Sequence, residues 1–270
     1  MQIDELLQRN NVKISGNGSH TLLLAHGFGC DQNMWRFITP ALAPHYRIVL
    51  FDYVGSGDSD LAAYDSDRYS TLDGYARDIL ELCDALSLEG ATLIGHSVSS
   101  MIGLIASIAE PRFFDRLAMV CPSPCFLNKP PDYMGGFEAR DLEQLLDLMD
   151  KNYIGWADYL APLVLGGSGS EALTQELSGS FCSADPVIAK NFARATFFSD
   201  YRSLLPKARH PSLLLQSRTD LLADVSVGEY MHARMPDSEL RVLPAEGHCL
   251  HMTDPELVLR ELKPFLASPS

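Results

Sequence analysis

Positive charge is scarce in this chain: 21 Lys and Arg face 35 Asp and Glu, for a net charge of -14. The acidic excess is spread along the sequence, and no Lys/Arg cluster stands ready to displace counterions from phosphates. That argues against a nucleic-acid partner and against an anionic membrane surface. Long apolar runs are missing as well, since none approaches the roughly 18 residues needed to span a bilayer. Met1-Gln2-Ile3-Asp4-Glu5 has neither the basic start nor the apolar core of an export signal, so the expected location is the cytoplasm. The six cysteines, at 30, 83, 121, 125, 182 and 249, show no disulfide framework and read as reduced, buried thiols. Cys121 and Cys125 have no second pair and no histidine partner, so neither a metal nor an organic cofactor is expected. Internal repeats, low-complexity tracts and flexible linkers are also absent.

What is present is the balance of a globular protein, 46% hydrophobic and 21% charged over 270 residues, enough to bury a full core. Short apolar runs alternate with amphipathic stretches. Val12 to Ser15 and Thr21 to Ala25 flank Gly16-Asn17-Gly18-Ser19 and read as a hairpin. Further strands are expected at Arg47 to Phe51, Ala91 to Ile94, Arg116 to Val120, Ser212 to Gln216 and Glu239 to Leu243. Helical patterns lie near 32–43, 72–87, 98–109, 226–235 and 255–267. Nearly continuous apolar strands separated by helices predict an α/β fold, a mostly parallel twisted sheet with helices on both faces.

The alternation breaks over residues 128–205. That segment reads as several helices interrupted by Gly135-Gly136, Gly155, Gly166-Gly167 and Pro186. The expected organisation is a core of residues 1–127 and 206–270 with a helical lid, 128–205, inserted between core strands. A segment so placed folds over the carboxyl edge of the sheet, where such sheets bind ligands. Its aromatics, among them Tyr153, Trp156, Phe181 and Phe192, either line a pocket there or form the segment's own core.

Chemistry concentrates at strand ends. Gly95-His96-Ser97-Val98-Ser99 joins the strand Ala91-Thr92-Leu93-Ile94 to an apolar helix. A serine on that sharp turn is presented at the sheet edge, beside the positive end of the following helix. The usual motif ends in glycine; here Ser99 holds that place. A serine hydroxyl needs a base, and His248, in Ala245-Glu246-Gly247-His248-Cys249, follows the last strand, with His251 as its rival. The base needs a carboxylate to hold its tautomer. Asp220 follows the strand ending in Gln216, and Asp224 is the alternative. The order Ser97, Asp220, His248 is that of a nucleophile-elbow hydrolase, unlike chymotrypsin or subtilisin. His26-Gly27-Phe28-Gly29 ends the strand Leu22 to Ala25, and its glycines let the chain turn so that the Phe28 and Val98 amides form an oxyanion hole. His26 reads as a structural hydrogen-bonding residue of that loop. Asp52-Tyr53-Val54-Gly55-Ser56-Gly57 suits a tight turn and lacks the basic neighbours of a phosphate cradle.

Together these residues resemble the α/β-hydrolase superfamily along essentially the whole chain. Longer strings narrow the likeness. His26-Gly27-Phe28-Gly29-Cys30-Asp31-Gln32, Asp67-Arg68-Tyr69-Ser70 and Gly135-Gly136-Phe137-Glu138 resemble the group that holds the plant karrikin and strigolactone receptors and the bacterial stress regulator RsbQ. Pro122-Ser123-Pro124-Cys125, Lys151-Asn152-Tyr153-Ile154-Gly155-Trp156 and Gly247-His248-Cys249 resemble the RsbQ branch most. The resemblance implies a buried apolar pocket under a four-helix lid, with Phe126, Phe137, Tyr159, Phe197 and Leu221 among its lining. It also implies slow hydrolysis of a small hydrophobic ester or lactone. In the RsbQ branch it implies a partner, a PAS-domain serine/threonine phosphatase of a stress-response pathway.

Two functions are thus expected, a serine hydrolase and a ligand-sensing signalling protein that activates such a phosphatase. Dehalogenases and epoxide hydrolases of the same fold use an aspartate nucleophile, and Ser97 excludes that ester chemistry.

Overall fold

A computed structural model describes residues 3–267. Seven strands form one sheet: β1 Lys13–Ser15, β2 Thr21–Ala25, β3 Arg47–Leu50, β4 Ala91–His96, β5 Phe114–Val120, β6 Ser212–Thr219 and β7 Ser238–Glu246. Their order is β1-β3-β2-β4-β5-β6-β7. Every neighbouring pair is parallel except β1 with β3. The helices are α1 Ile3–Arg9, α2 Thr39–Leu42, α3 Leu72–Ala85, α4 Val98–Ala109, α5 Ala139–Lys151, α6 Tyr153–Leu165, α7 Glu171–Ser183, α8 Pro186–Phe197, α9 Val225–His232, α10 Leu250–Thr253 and α11 Pro255–Ala267.

The strand alternation builds two cores. Leu22, Leu24, Ile48, Val120, Leu213 and Leu215 face one side of the sheet, with Trp35, Val258 and Leu262 packed there. Leu23, Val49, Leu93, Leu117 and Leu214 face the other, against Tyr75, Ile79, Ile102 and Met231. A strand buried on both faces has no polar side to show, which is why β2 and β4 are entirely buried. α3 buries Leu72, Tyr75, Ala76, Ile79, Leu82 and Cys83, a stripe of helical period. Among the described residues no helix is long and apolar enough to cross a membrane.

Three sequence expectations need correction. The first two strands do not form a hairpin, because β3 lies between them and β1 pairs antiparallel with β3, Ile14 opposite Val49. The glycines serve this crossing instead of a two-strand turn. A Cβ on Gly16 would come within 2.1 Å of the Tyr46 carbonyl, and one on Gly18 within 2.0 Å of the His45 carbonyl. The expected helix over 32–43 is two short turns, Gln32–Trp35 and Thr39–Leu42. Pro40 at the start of the second has no amide to donate back to the Arg36 carbonyl, so one continuous helical ladder cannot run through it. Gly155 does not interrupt a helix but sits in the first turn of α6, where its amide donates to the capping side chain of Asn152 at 3.0 Å. α1, which the sequence pattern did not announce, is clasped to α3 by Arg9, within 3.3 Å of Asp78 and 2.7 Å of Glu81.

Residues between β5 and β6 carry α5 to α8. Caps set their starts: Ser170 accepts from the Leu173 amide, and Asp185 accepts from the Val187 and Ile188 amides just ahead of Pro186. This segment meets the carboxyl edge of the sheet. The His248 amide donates to the Val164 carbonyl at 2.7 Å, and the Ser180 hydroxyl donates to the Gly29 carbonyl at 2.8 Å.

Candidate active site

Parallel strands deliver their C-terminal ends to one edge, and the candidate residues emerge there. Ser97 directly follows β4, with backbone angles φ 54° and ψ -120° at the cap of α4. A non-glycine residue in that left-handed region is strained. Its neighbours make the turn possible. A Cβ on Gly95 would stand 2.6 Å from the Ser99 carbonyl, so only glycine fits where the chain doubles back. The Ser97 amide is anchored to the Val120 carbonyl at 2.8 Å.

Asp220 follows β6, and His248 follows β7 after a single glycine at φ +94°. A Cβ on that glycine, Gly247, would meet the Leu165 carbonyl at 2.1 Å. His248 Nδ1 lies 2.7 Å from Asp220 Oδ2, and His248 Nε2 lies 2.7 Å from Ser97 Oγ. A carboxylate accepts, so Nδ1 donates to Asp220 and Nε2 is left to accept the Ser97 proton. The Leu222 amide donates to the other Asp220 oxygen at 2.8 Å. All three side chains are buried.

The rivals are employed elsewhere. His251 is fully buried, its ring 4.4 Å from Trp35 and 4.6 Å from His96, and burial pulls its pKa down to about 3. Asp224 caps α9 by accepting from the Ser226 amide at 2.9 Å. His26 accepts from the Tyr53 amide at 3.1 Å and contacts the Gly27 carbonyl at 2.9 Å. Burial holds it below the ordinary histidine range, a neutral loop anchor.

Phe28 follows β2, and among the described residues neither its amide nor that of Val98 has a hydrogen-bond partner within the protein. A Cβ on Gly27 would sit 2.3 Å from His96 Nδ1, and one on Gly29 2.2 Å from the Phe181 ring, so the loop between them is closely packed. Of metal-ligating side chains, Cys121, Asp220 and His248 each bring one ligand atom within 4.8 Å of the others. Burial and the Asp220 charge push the Cys121 thiol far up, which keeps it protonated and a poor metal ligand.

Ser97 and His248 open into an apolar cavity of about 30 Å³, room for about one water. Phe126 and Phe197 line it, together with Phe28, Leu160, Val164, Leu177, Phe181 and Leu222. Phe137, Tyr159 and Leu221 lie instead on a larger groove of about 580 Å³, which also touches Leu160, Phe197 and Leu222 but not Ser97. Tyr159 and Leu221 are exposed at 58% and 63%. Sequence reasoning missed Leu160, Val164 and Leu177. The first two are one helical turn apart on α6, a spacing that marks a shared face.

The chain belongs to the α/β-hydrolase fold family, whose profile matches residues 20–255. It is 41% identical to a karrikin-insensitive receptor of Petunia hybrida over 253 residues, covering 93% of each chain. A strigolactone esterase of Arabidopsis thaliana is 37% identical over 264 residues, covering 97% of this chain and 98% of that one. A solved structure of a hydrolase from Oleispira antarctica superposes with a TM-score of 0.98 at 55% identity, covering 100% of this chain and 98% of the other.

Proposed function

We propose that this protein is a serine esterase or lactonase that hydrolyses a small hydrophobic ester or lactone through an acyl-enzyme. One observation carries the reading: a single imidazole lies 2.7 Å from both a strained serine hydroxyl and a buried carboxylate. Ser97 Oγ attacks the substrate carbonyl while His248 Nε2 takes the hydroxyl proton. The Phe28 and Val98 amides hold the oxyanion, each donor contributing about 3 kcal/mol to the barrier reduction. His248 then returns its proton to the departing alkoxide, leaving an acyl group on Ser97. Water, deprotonated by the same imidazole, releases the acid. Asp220 orients His248 and stabilises the imidazolium throughout.

In this reading residues 128–205 act as a lid over the core formed by 1–127 and 206–270. Leu160, Val164, Leu177 and Phe181 of this segment line the reaction cavity. The apolar character of cavity and groove favours a hydrophobic substrate. Release of p-nitrophenol from p-nitrophenyl acetate, compared with Ser97→Ala, tests the reading; turnover equal in both removes it.

A ligand-sensing role is the second reading, favoured by the receptor-named relatives. Its finer form is activation of a PAS-domain serine/threonine phosphatase by the liganded lid. Co-purification with such a phosphatase, with and without an acylating ligand, separates it from simple turnover.

A further inference from the structure

The elbow motif ends in Ser99, where glycine is usual, and this hydroxyl takes no part in the proton transfers above. Ser99 lies fully buried in the first turn of α4, and its Oγ donates to the main-chain carbonyl of His26. A carbonyl only accepts, so the Ser99 proton is committed there. The Tyr53 hydroxyl, 2.9 Å from Ser99 Oγ, is therefore the donor in the second bond. Tyr53 also donates its amide to His26 Nε2 at 3.1 Å, which leaves His26 Nδ1 to donate to the Gly27 carbonyl at 2.9 Å. Tyr53, His26 and Ser99 all have 0% exposure, so bulk water does not compete for these bonds. Burial lowers the His26 pKa and raises that of Tyr53, favouring the neutral forms that these bonds require.

Val98 precedes Ser99 by one residue, and Phe28 follows His26 by two. The two amides assigned to the oxyanion thus belong to the two segments that this side-chain bond joins. The β2–β4 ladder ends at Ala25 opposite Gly95, short of both donors. We propose that Ser99, backed by Tyr53, is a positioning residue that sets the separation of the Phe28 and Val98 amides. This rests on the hydrolase reading above. A hydrogen bond to a developing oxyanion depends on donor placement more strongly than does binding of the neutral ester. Loosening the tie therefore acts on kcat and on tetrahedral mimics, and leaves KM alone.

The test compares wild type, Ser97→Ala, Ser99→Ala and Tyr53→Phe. Active sites are counted by end-point titration with a fluorophosphonate, kcat and KM are measured with p-nitrophenyl acetate, and inhibition by phenylboronic acid reports the tetrahedral adduct. Ser99→Ala is expected to lose about tenfold in kcat per titrated site and in boronate affinity, less than removal of an oxyanion donor itself, with KM within about twofold. Tyr53→Phe is expected to lose about threefold in the same two quantities, because the Ser99 bond survives without its backing donor. If Ser99→Ala does not fold, Tyr53→Phe decides alone. Wild-type kcat per site in the variants overturns the proposal, as does a loss that falls in KM. If wild type shows no serine-dependent turnover, the hydrolase reading fails separately, and boronate affinity still decides the positioning claim: equal affinity in wild type and the variants overturns it.

Discussion

His96 reaches from the end of β4 to the loop that carries His248: its Nε2 donates to the main-chain carbonyl of His248 at 2.9 Å. The bond fixes the His96 tautomer and holds the His248 backbone toward Ser97. A glutamine in its place would keep a donor at the same reach, whereas a phenylalanine would not. His96→Phe should therefore lower kcat about tenfold, the loss expected for a base held by one hydrogen bond fewer, and His96→Gln should recover most of it. Steady-state kinetics on both variants checks this; equal rates in the two would sever the link.

Backbone crowding makes the elbow intolerant. A Cβ on Gly95 meets the Ser99 carbonyl at 2.6 Å and the Ser100 amide nitrogen at 2.9 Å, atoms that no rotamer change can move aside. Gly95→Ala should cost about 3 kcal/mol of stability, at the upper end of overpacking effects. Urea unfolding of the variant measures it, and a midpoint within error of wild type would contradict the packing described.

Acid should destabilise the fold through its buried histidines. His251 has a pKa of about 3, lowered by desolvation, and burial lowers His96 and His26 in the same direction. Between pH 6.5 and about 3 the unfolded chain binds a proton at position 251 that the folded chain does not. Stability therefore falls as pH drops through that window, by about 1.4 kcal/mol per pH unit for His251, and the other two add in the same direction. Among the described residues, neither His251 ring nitrogen has a hydrogen-bond partner. Replacing it with leucine should thus flatten the slope by about one proton's worth. Chemical denaturation of wild type and His251→Leu at pH 7, 6 and 5 tests this, with parallel slopes the contrary result.

Leu160, Phe197 and Leu222 touch both the small reaction cavity and the larger groove. They form the wall between the two. Leu222→Ala should let acyl chains extend outward, raising the rate on p-nitrophenyl hexanoate relative to acetate by about tenfold, the order of discrimination expected for a few methylenes. An unchanged chain-length profile would mean that substrate does not cross this wall.

Much of the candidate site was legible because each of its three polar residues follows its own strand. A parallel sheet sends all carboxyl ends to one edge, so Ser97, Asp220 and His248 converge without any help from side-chain detail. The apolar runs of β2 and β4 were equally plain, being buried on both faces. Less was legible where identity depends on contacts between distant segments. β1 joins β3 instead of β2, a pairing that no local turn signal encodes. Tyr159 lines the groove while Leu160, beside it, lines both spaces, because a helix turns about 100° per residue and only packing sets its rotation. Ser99 looked like a mere substitute for glycine, since its partner His26 lies 73 positions away.

Hydrolysis by the proposed route acylates Ser97. Acid-quenched wild-type protein, mixed with p-nitrophenyl acetate and analysed by intact mass and peptide mapping, should carry one acetyl group on Ser97 during turnover. Ser97→Ala should carry none and release nitrophenol only at the background rate. An unmodified wild-type Ser97 alongside equal hydrolysis by both proteins would contradict the account.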